Sequence, residues 1–159
     1  MLEGEEDSAW EDDTGRTSGW GLMSVLSGCI TVASAAMADA GIDCVDLVTG
    51  GVAAYIPQLA SQPQLILDPC PSDHEYIMGQ CVVAYLQSRD EITEIWAKGD
   101  FGPSSSDNRP VSAGFDKLVD NAVEAASAAR LVLVEAIKES TEAKIQRVHL
   151  SEPEKAKAV

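Results

Sequence analysis

Apolar positions recur along the chain in helical and strand rhythms, and these predict its elements. From about Trp20 to Ala40, Leu22, Val25, Leu26, Cys29, Val32, Ala33, Ala36 and Ala40 return at steps of three and four. That spacing makes one face of a helix. The other positions are mostly small, namely Ser27, Gly28, Thr31, Ser34 and Ala35. A helix built this way can lie close against a sheet, so it is predicted to be structural and buried over much of its circumference. Gly41 is the expected left-handed stop.

A strand rhythm follows. Cys44 to Ile56 is rich in Val and Leu, and Gly50-Gly51 in its middle marks a bulge or a close backbone approach. Those two glycines lack the flanking residues of a phosphate-binding loop. Pro57 to Gln64 reads as a polar connection and Gln64 to Asp68 as a short strand, broken by Pro69, Pro71 and Ser72. Gln80 to Leu86 is a continuous apolar run that fits a central strand. Gln87-Ser88-Arg89-Asp90 reads as a hairpin turn. Ile92 to Lys98 alternates, with Ile92 and Trp96 placed on one face. These runs predict a mainly antiparallel sheet of about four strands.

After a loop from Gly99 to Val111, Ser112 is the expected N-cap of a long helix over about Ala113 to Val148. Its apolar stripe is Phe115, Val119, Ala122, Ala126, Ala129, Leu133 and Ile137, widened by Val123, Leu131 and Val134. The order helix, strands, helix implies an α+β fold with the helices packed on one side of the sheet. Residues 1–19 are predicted to be an acidic disordered arm or loop. Residues 20–148 form one domain, and 149–159 a polar tail.

Charge changes the picture. The 159 residues carry 26 acidic against 11 basic side chains, a formal net charge of -15. Between Gly21 and Asp100 the only bases are Arg89 and Lys98. Nucleic-acid affinity comes largely from Lys and Arg on phosphates, so this chain is a poor RNA binder on its own. Cys29, Cys44, Cys70 and Cys81 form no C-x-x-C pair, and His74 and His149 sit at no metal-ligand spacing. No metal and no cofactor are expected. The cysteines are expected to be reduced and buried, in a cytosolic or nuclear protein. The acidic N-terminus does not read as a signal peptide, and no apolar run is read as long enough for a membrane span.

Certain stretches resemble a known family. They are the Ala36-Met37-Ala38-Asp39-Ala40-Gly41-Ile42 helix end, the Asp46-Leu47-Val48 strand, Leu67-Asp68 followed by the Val82–Leu86 strand, and the Asp90-Glu91-Ile92-Thr93 hairpin. Together with the final helix they resemble the C-terminal half of an RNase PH-like domain. That is the fold of phosphorolytic 3′-exoribonucleases and of the ring subunits of the RNA exosome. The resemblance runs from Ser24 to about Lys138. It implies a sheet left incomplete without the family's N-terminal β-rich half, which carries the basic RNA- and phosphate-binding residues.

The resemblance also says where catalysis would sit. Phosphorolysis joins two anions, so its site needs cations for phosphate and carboxylates for a metal or a proton. In active relatives two acidic residues lie six apart after the Leu-Asp strand. Those positions here are His74 and Gln80, and neither is a carboxylate. No catalytic residue is therefore assigned, and the weak candidates, should the chain be active, are Asp68 and Asp73. Asp68 reads first as a strand end that caps the turn through Pro69, and Asp73 stands one residue out of register. Asp39, Asp43 and Asp46 read as helix-end and turn residues.

The expectation is a non-catalytic structural subunit of the exosome ring. It would support 3′-to-5′ RNA processing and degradation, including rRNA processing and mRNA turnover. Its partners would be other RNase PH-type subunits, with RNA reached indirectly through the complex and no membrane involved. It would act in the nucleus and nucleolus and also in the cytoplasm. The alternatives are an active phosphate-dependent 3′-to-5′ exoribonuclease subunit and an unrelated α+β binding module.

Overall fold

The computed structural model describes residues 20–57, 63–70, 73–74, 76–101 and 112–155, with side chains of the last helix described over 114–148. The predicted arm at 1–19, most of the polar connection, most of the loop after Gly99 and the end of the predicted tail lie outside the described residues. Helix α1 spans Trp20–Asp39. Strands β1 (Val48–Ile56), β2 (Gln64–Leu67), β3 (Gly79–Leu86) and β4 (Glu91–Gly99) follow, and helix α2 spans Ser112–Lys155. Three residues of 3-10 helix, Gln87–Arg89, make the β3–β4 turn. Strand β1 starts later than predicted, at Val48. Helix α2 carries on past Val148 to Lys155.

The sheet has the order β2-β1-β3-β4, and every neighbouring pair is antiparallel. The α+β class and the antiparallel sheet are as read from the sequence. The placement of both helices on one side is corrected. Successive residues of a strand point to opposite faces. A Cβ on Gly50 would lie 2.3 Å from the Ser27 carbonyl oxygen in α1, whereas one on Gly51 would lie 2.1 Å from the Ala122 carbonyl oxygen in α2. The helices therefore cover opposite faces of β1. The apolar runs carried this signal: β3 is buried at all eight positions, and a strand apolar on both sides needs cover on both sides. Gly50-Gly51 is the close approach foreseen. It makes no bulge, because β1 pairs with β3 without a shift from Val48 to Tyr55.

On one face Ala53, Cys81, Val83 and Tyr85 pack under Leu118, Ala122 and Ala126 of α2. Leu118 was not in the predicted stripe, yet it is fully buried, whereas Leu131 is 69% exposed. On the other face Trp20 meets Ala54 and Ile77, and Met23 meets Val52 and Val82.

Helix α1 turns the opposite way from its prediction. Trp20, Met23 and Ser34 are buried. Leu22, Val25, Cys29, Val32, Ala33, Ala36 and Ala40 are exposed. Hydroxyl chemistry decides this. Strand β2 pairs with β1 only over Ala53–Ile56, which leaves the N–H groups of Val48 and Gly50 without a strand beside them. Val48 N donates to Ser34 Oγ at 2.9 Å, and Gly50 N donates to Thr31 Oγ1 at 3.0 Å. Thr31 Oγ1 in turn donates to the Ser27 carbonyl at 3.1 Å. A backbone donor left unpaired away from water is costly, so the Ser/Thr side faces the sheet and the apolar side faces out. Contrary to expectation, α1 is long and apolar enough to cross a membrane by length and composition alone. Its hydroxyl bonds to β1 make it an integral layer of this domain.

Strand β4 brings a further correction. Pairing shifts between Ala84 and Tyr85, so Tyr85 faces Ile92 while Ala84 faces Glu94. Thr93 is the extra residue of a bulge, and its Oγ1 donates to the Ala84 carbonyl at 3.2 Å. One inserted residue reverses the faces beyond it. Ile92 thus shares the α2 face with Ile95, and Trp96 lies on the α1 face.

Candidate functional site

The residues singled out from the sequence lie along the segment between β2 and β3. Asp68 follows β2 with φ +44°, a left-handed conformation that Asp tolerates better than most side chains. Its N–H donates to the Val52 carbonyl at 2.8 Å. Pro69 next to it is buried, and its carbonyl accepts from Ser24 Oγ at 3.3 Å. Asp68 thus stands just past the end of β2, held there through its backbone N–H. Its carboxylate is exposed and borders a cavity of about 310 Å³ between α1, β1 and α2. The cavity is otherwise lined by small and uncharged residues such as Ser24, Ser27, Thr31, Gly50 and Ala129. With one carboxylate and no cation on its walls, it repels phosphate.

Asp73 is exposed, and its N–H donates to the Cys70 carbonyl at 3.0 Å. His74 is half-buried. Gln80 opens β3, opposite Ala54 of β1 and Lys98 of β4. It is completely buried, and neither amide atom has a hydrogen-bond partner. Such a group costs on the order of 1–3 kcal/mol. Strand β1 lies between Asp68 and Gln80. Asp68 is therefore an exposed strand end, Asp73 an exposed turn residue, and the positions where the resemblance implies carboxylates hold the half-buried His74 and the buried Gln80 amide. Among the described residues no group of three or more His, Cys, Asp or Glu is placed to hold a metal ion.

The strongest polar cluster was missed as a cluster. Asp46 accepts from Leu47 N at 2.8 Å, from Ser88 N at 3.1 Å and from Arg130 Nη2 at 3.0 Å. It ties the entry to β1, the β3–β4 turn and α2 together. Burial pushes its carboxyl upward, but the Leu47, Arg130 and Ser88 hydrogen bonds outweigh that and hold it below the usual carboxylate value. Sequence spacing carries no such signal, since the partners lie 42 and 84 residues away. Asp39 pairs with Lys144, which joins the C-terminal end of α1 to α2. These contacts fit the helix-end and turn roles read for both aspartates. The cysteine expectation is corrected in part: Cys81 is buried, but Cys29, Cys44 and Cys70 are exposed, and none of the four forms a disulfide. Burial pushes the Cys81 thiol up to about 11.

Comparison with known proteins adds kinship to this geometry. No family model matches the chain. It is 43% identical over 143 residues to the exosome complex component MTR3 of Chaetomium thermophilum, covering 88% of this chain and 47% of that protein. It is 35% identical over 86 residues to exosome complex component mtr3 of Schizosaccharomyces pombe, covering 53% of this chain and 32% of that protein. The chain is a homologue of the MTR3 exosome components. It spans about half the length of the first of these relatives and about a third of the second. The RNase PH-like resemblance read from the sequence is upheld, and the four-stranded antiparallel sheet with two helices is consistent with that fold.

Proposed function

We propose that the chain is a non-catalytic structural part of the RNA exosome ring. It supports 3′-to-5′ RNA processing and degradation by holding neighbouring RNase PH-type subunits, and RNA meets it through the complex. The names of its homologues support the assembly. Gln80 is the observation that supports the absence of catalysis. At the position where active relatives hold a carboxylate, this chain holds a buried neutral amide. An amide does not ionise, so it neither binds a divalent cation as a carboxylate does nor transfers a proton as a general acid or base. The net charge of -15 and the absence of any cation from the walls of the cavity that Asp68 borders argue in the same direction.

Capture of the tagged chain from native extract tests the assembly, and the expected result is a stoichiometric set of RNase PH-type subunits. A phosphorolysis assay tests the chemistry. Adding phosphate to the purified chain and a 3′-tailed RNA is expected to release no nucleoside diphosphate. Release that is lost on Asp73→Ala would establish the alternative, an active phosphate-dependent exoribonuclease. The reading places the chain in the nucleus and nucleolus as well as the cytoplasm, which imaging of the tagged chain tests.

A further inference from the structure

Ser88 sits where the β3–β4 turn, the entry to β1 and helix α2 meet. Its N–H donates to Asp46 Oδ2 at 3.1 Å, and Arg130 Nη2 donates to that same oxygen at 3.3 Å. The two donors are thus neighbours across one carboxylate. The bond uses the backbone of Ser88, and the residue itself is exposed. Other hydroxyls are committed to the fold: Ser24, Ser127 and Thr141 donate to backbone carbonyls, and Ser34 accepts from Val48 N. Asp90 and Glu91 follow Ser88 at the second and third positions, and Gln87 to Glu91 are all exposed. Asp90 accepts from Tyr85 OH through Oδ1, and a carboxylate has a second oxygen to offer. The turn therefore presents a serine followed by two acids, a charge pattern that suits an enzyme with a basic substrate groove.

We propose that Ser88 is a phosphorylation site for a protein kinase that selects acidic residues after the serine, and that the phosphate unlatches the Asp46 cluster. In the transfer the Ser88 Oγ–P bond forms while the bond between the γ-phosphoryl group of a nucleoside triphosphate and its diphosphate breaks. The hydroxyl proton passes to the base of the kinase. The product carries a charge of about -1.5 to -2 next to Asp46. The Asp46 side chain is only 13% exposed, so water screens the added repulsion weakly. Arg130 is the group for which the two anions compete. Its side chain is 25% exposed, Asp46 meets it through Nη2, and its Nε is buried without a hydrogen-bond partner. A guanidinium carries five donors, so this one has capacity for a second acceptor. A phosphate of higher charge draws Arg130 to itself and repels the carboxylate. The tie between the β1 entry, the hairpin and α2 is then lost.

Incubation of the full chain with an acidophilic Ser/Thr kinase and magnesium ATP tests the site, with the modified residue located by mass spectrometry. Phosphate on Ser88 is expected, and its absence there overturns the proposal. Thermal unfolding tests the consequence, with Ser88→Ala treated in parallel so that phosphate on any other residue cancels. Phosphorylation is expected to lower the wild-type midpoint by about 4 °C or more relative to Ser88→Ala, and a phosphatase to restore it. In Asp46→Asn the neutral amide does not repel the phosphate, which then pairs with Arg130. Modification of that variant is expected to leave its midpoint unchanged or to raise it. Circular dichroism confirms that each variant is folded before treatment. A midpoint that phosphate on Ser88 leaves untouched overturns the unlatching. So does an equal fall in Asp46→Asn, because the phosphate then acts without this carboxylate.

Discussion

The two faces of β1 receive two helices by different chemistry. Toward α2 the contact is close and largely apolar, with Leu118, Ala122 and Ala126 pressed onto Gly51, Ala53 and Val83, and two β1 hydroxyls donate to α2 carbonyls, Thr49 Oγ1 to Ala126 at 2.9 Å and Tyr55 OH to Gly114 at 3.1 Å. Toward α1 the N-terminal turn is apolar, through Trp20 and Met23, but the rest of the contact is made of hydroxyls that satisfy the free edge of the strand. The same strand thus gives α2 an apolar face and its own side-chain hydroxyls, whereas most of the α1 contact is made by helix hydroxyls that accept from the strand's backbone N–H groups. The difference teaches that an apolar stripe on a helix need not mark its inward side. Where a neighbouring strand is short, unpaired backbone donors can claim the helix for its Ser/Thr side and turn the apolar stripe outward.

The largest expected effect is on the α2 face. Gly51→Val would drive its side chain into the α2 backbone, and Leu118→Ala would open a cavity in the centre of that layer. The first is expected to abolish folding, and the second to cost about 3–4 kcal/mol in urea unfolding. If Gly51→Val folds normally, α2 does not lie where it is described. Next comes the Asp46 cluster that holds α2 to the strand ends. Asp46→Asn is expected to cost about 2 kcal/mol at neutral pH. The carboxyl titrates lower in the folded chain than in the unfolded one. Its stabilisation is therefore complete above the unfolded carboxylate value of 3.8 and is lost as pH falls through the folded value. Unfolding midpoints of wild type and Asp46→Asn should converge in acid.

The α1 face is expected to respond more weakly. Ser34→Ala removes the acceptor for Val48 N and should cost about 1–2 kcal/mol. Gln80→Leu removes a buried amide that has no hydrogen-bond partner and is expected to be neutral or slightly stabilising, a result that thermal unfolding reads directly. The outward stripe of α1 gives the smallest effect. Val25→Gln and Val32→Gln should change the stability of the isolated chain by about 0.5 kcal/mol or less. If they cost more than Ser34→Ala, the hydroxyl account of the α1 face fails.

Much of this protein was legible in the order of its residues. The four strands, the two helices and their antiparallel order follow from local periodicity, and Gly50-Gly51 announced a close approach. His74 and Gln80, at the two positions where the resemblance implies carboxylates, are visible in the sequence too, because a residue's identity needs no fold to be read. Other features were settled only by the fold. Which side of α1 faces inward depended on the length of β2, an element elsewhere in the chain. The face of Trp96 depended on one inserted residue, Thr93. Leu118 outranked its neighbours because it sits above the middle of β1 and β3. Asp46 gained its role from groups 42 and 84 residues distant. Periodicity is a local property and was readable. Burial, register and hydrogen-bond satisfaction depend on distant segments meeting, and those the tertiary structure decided.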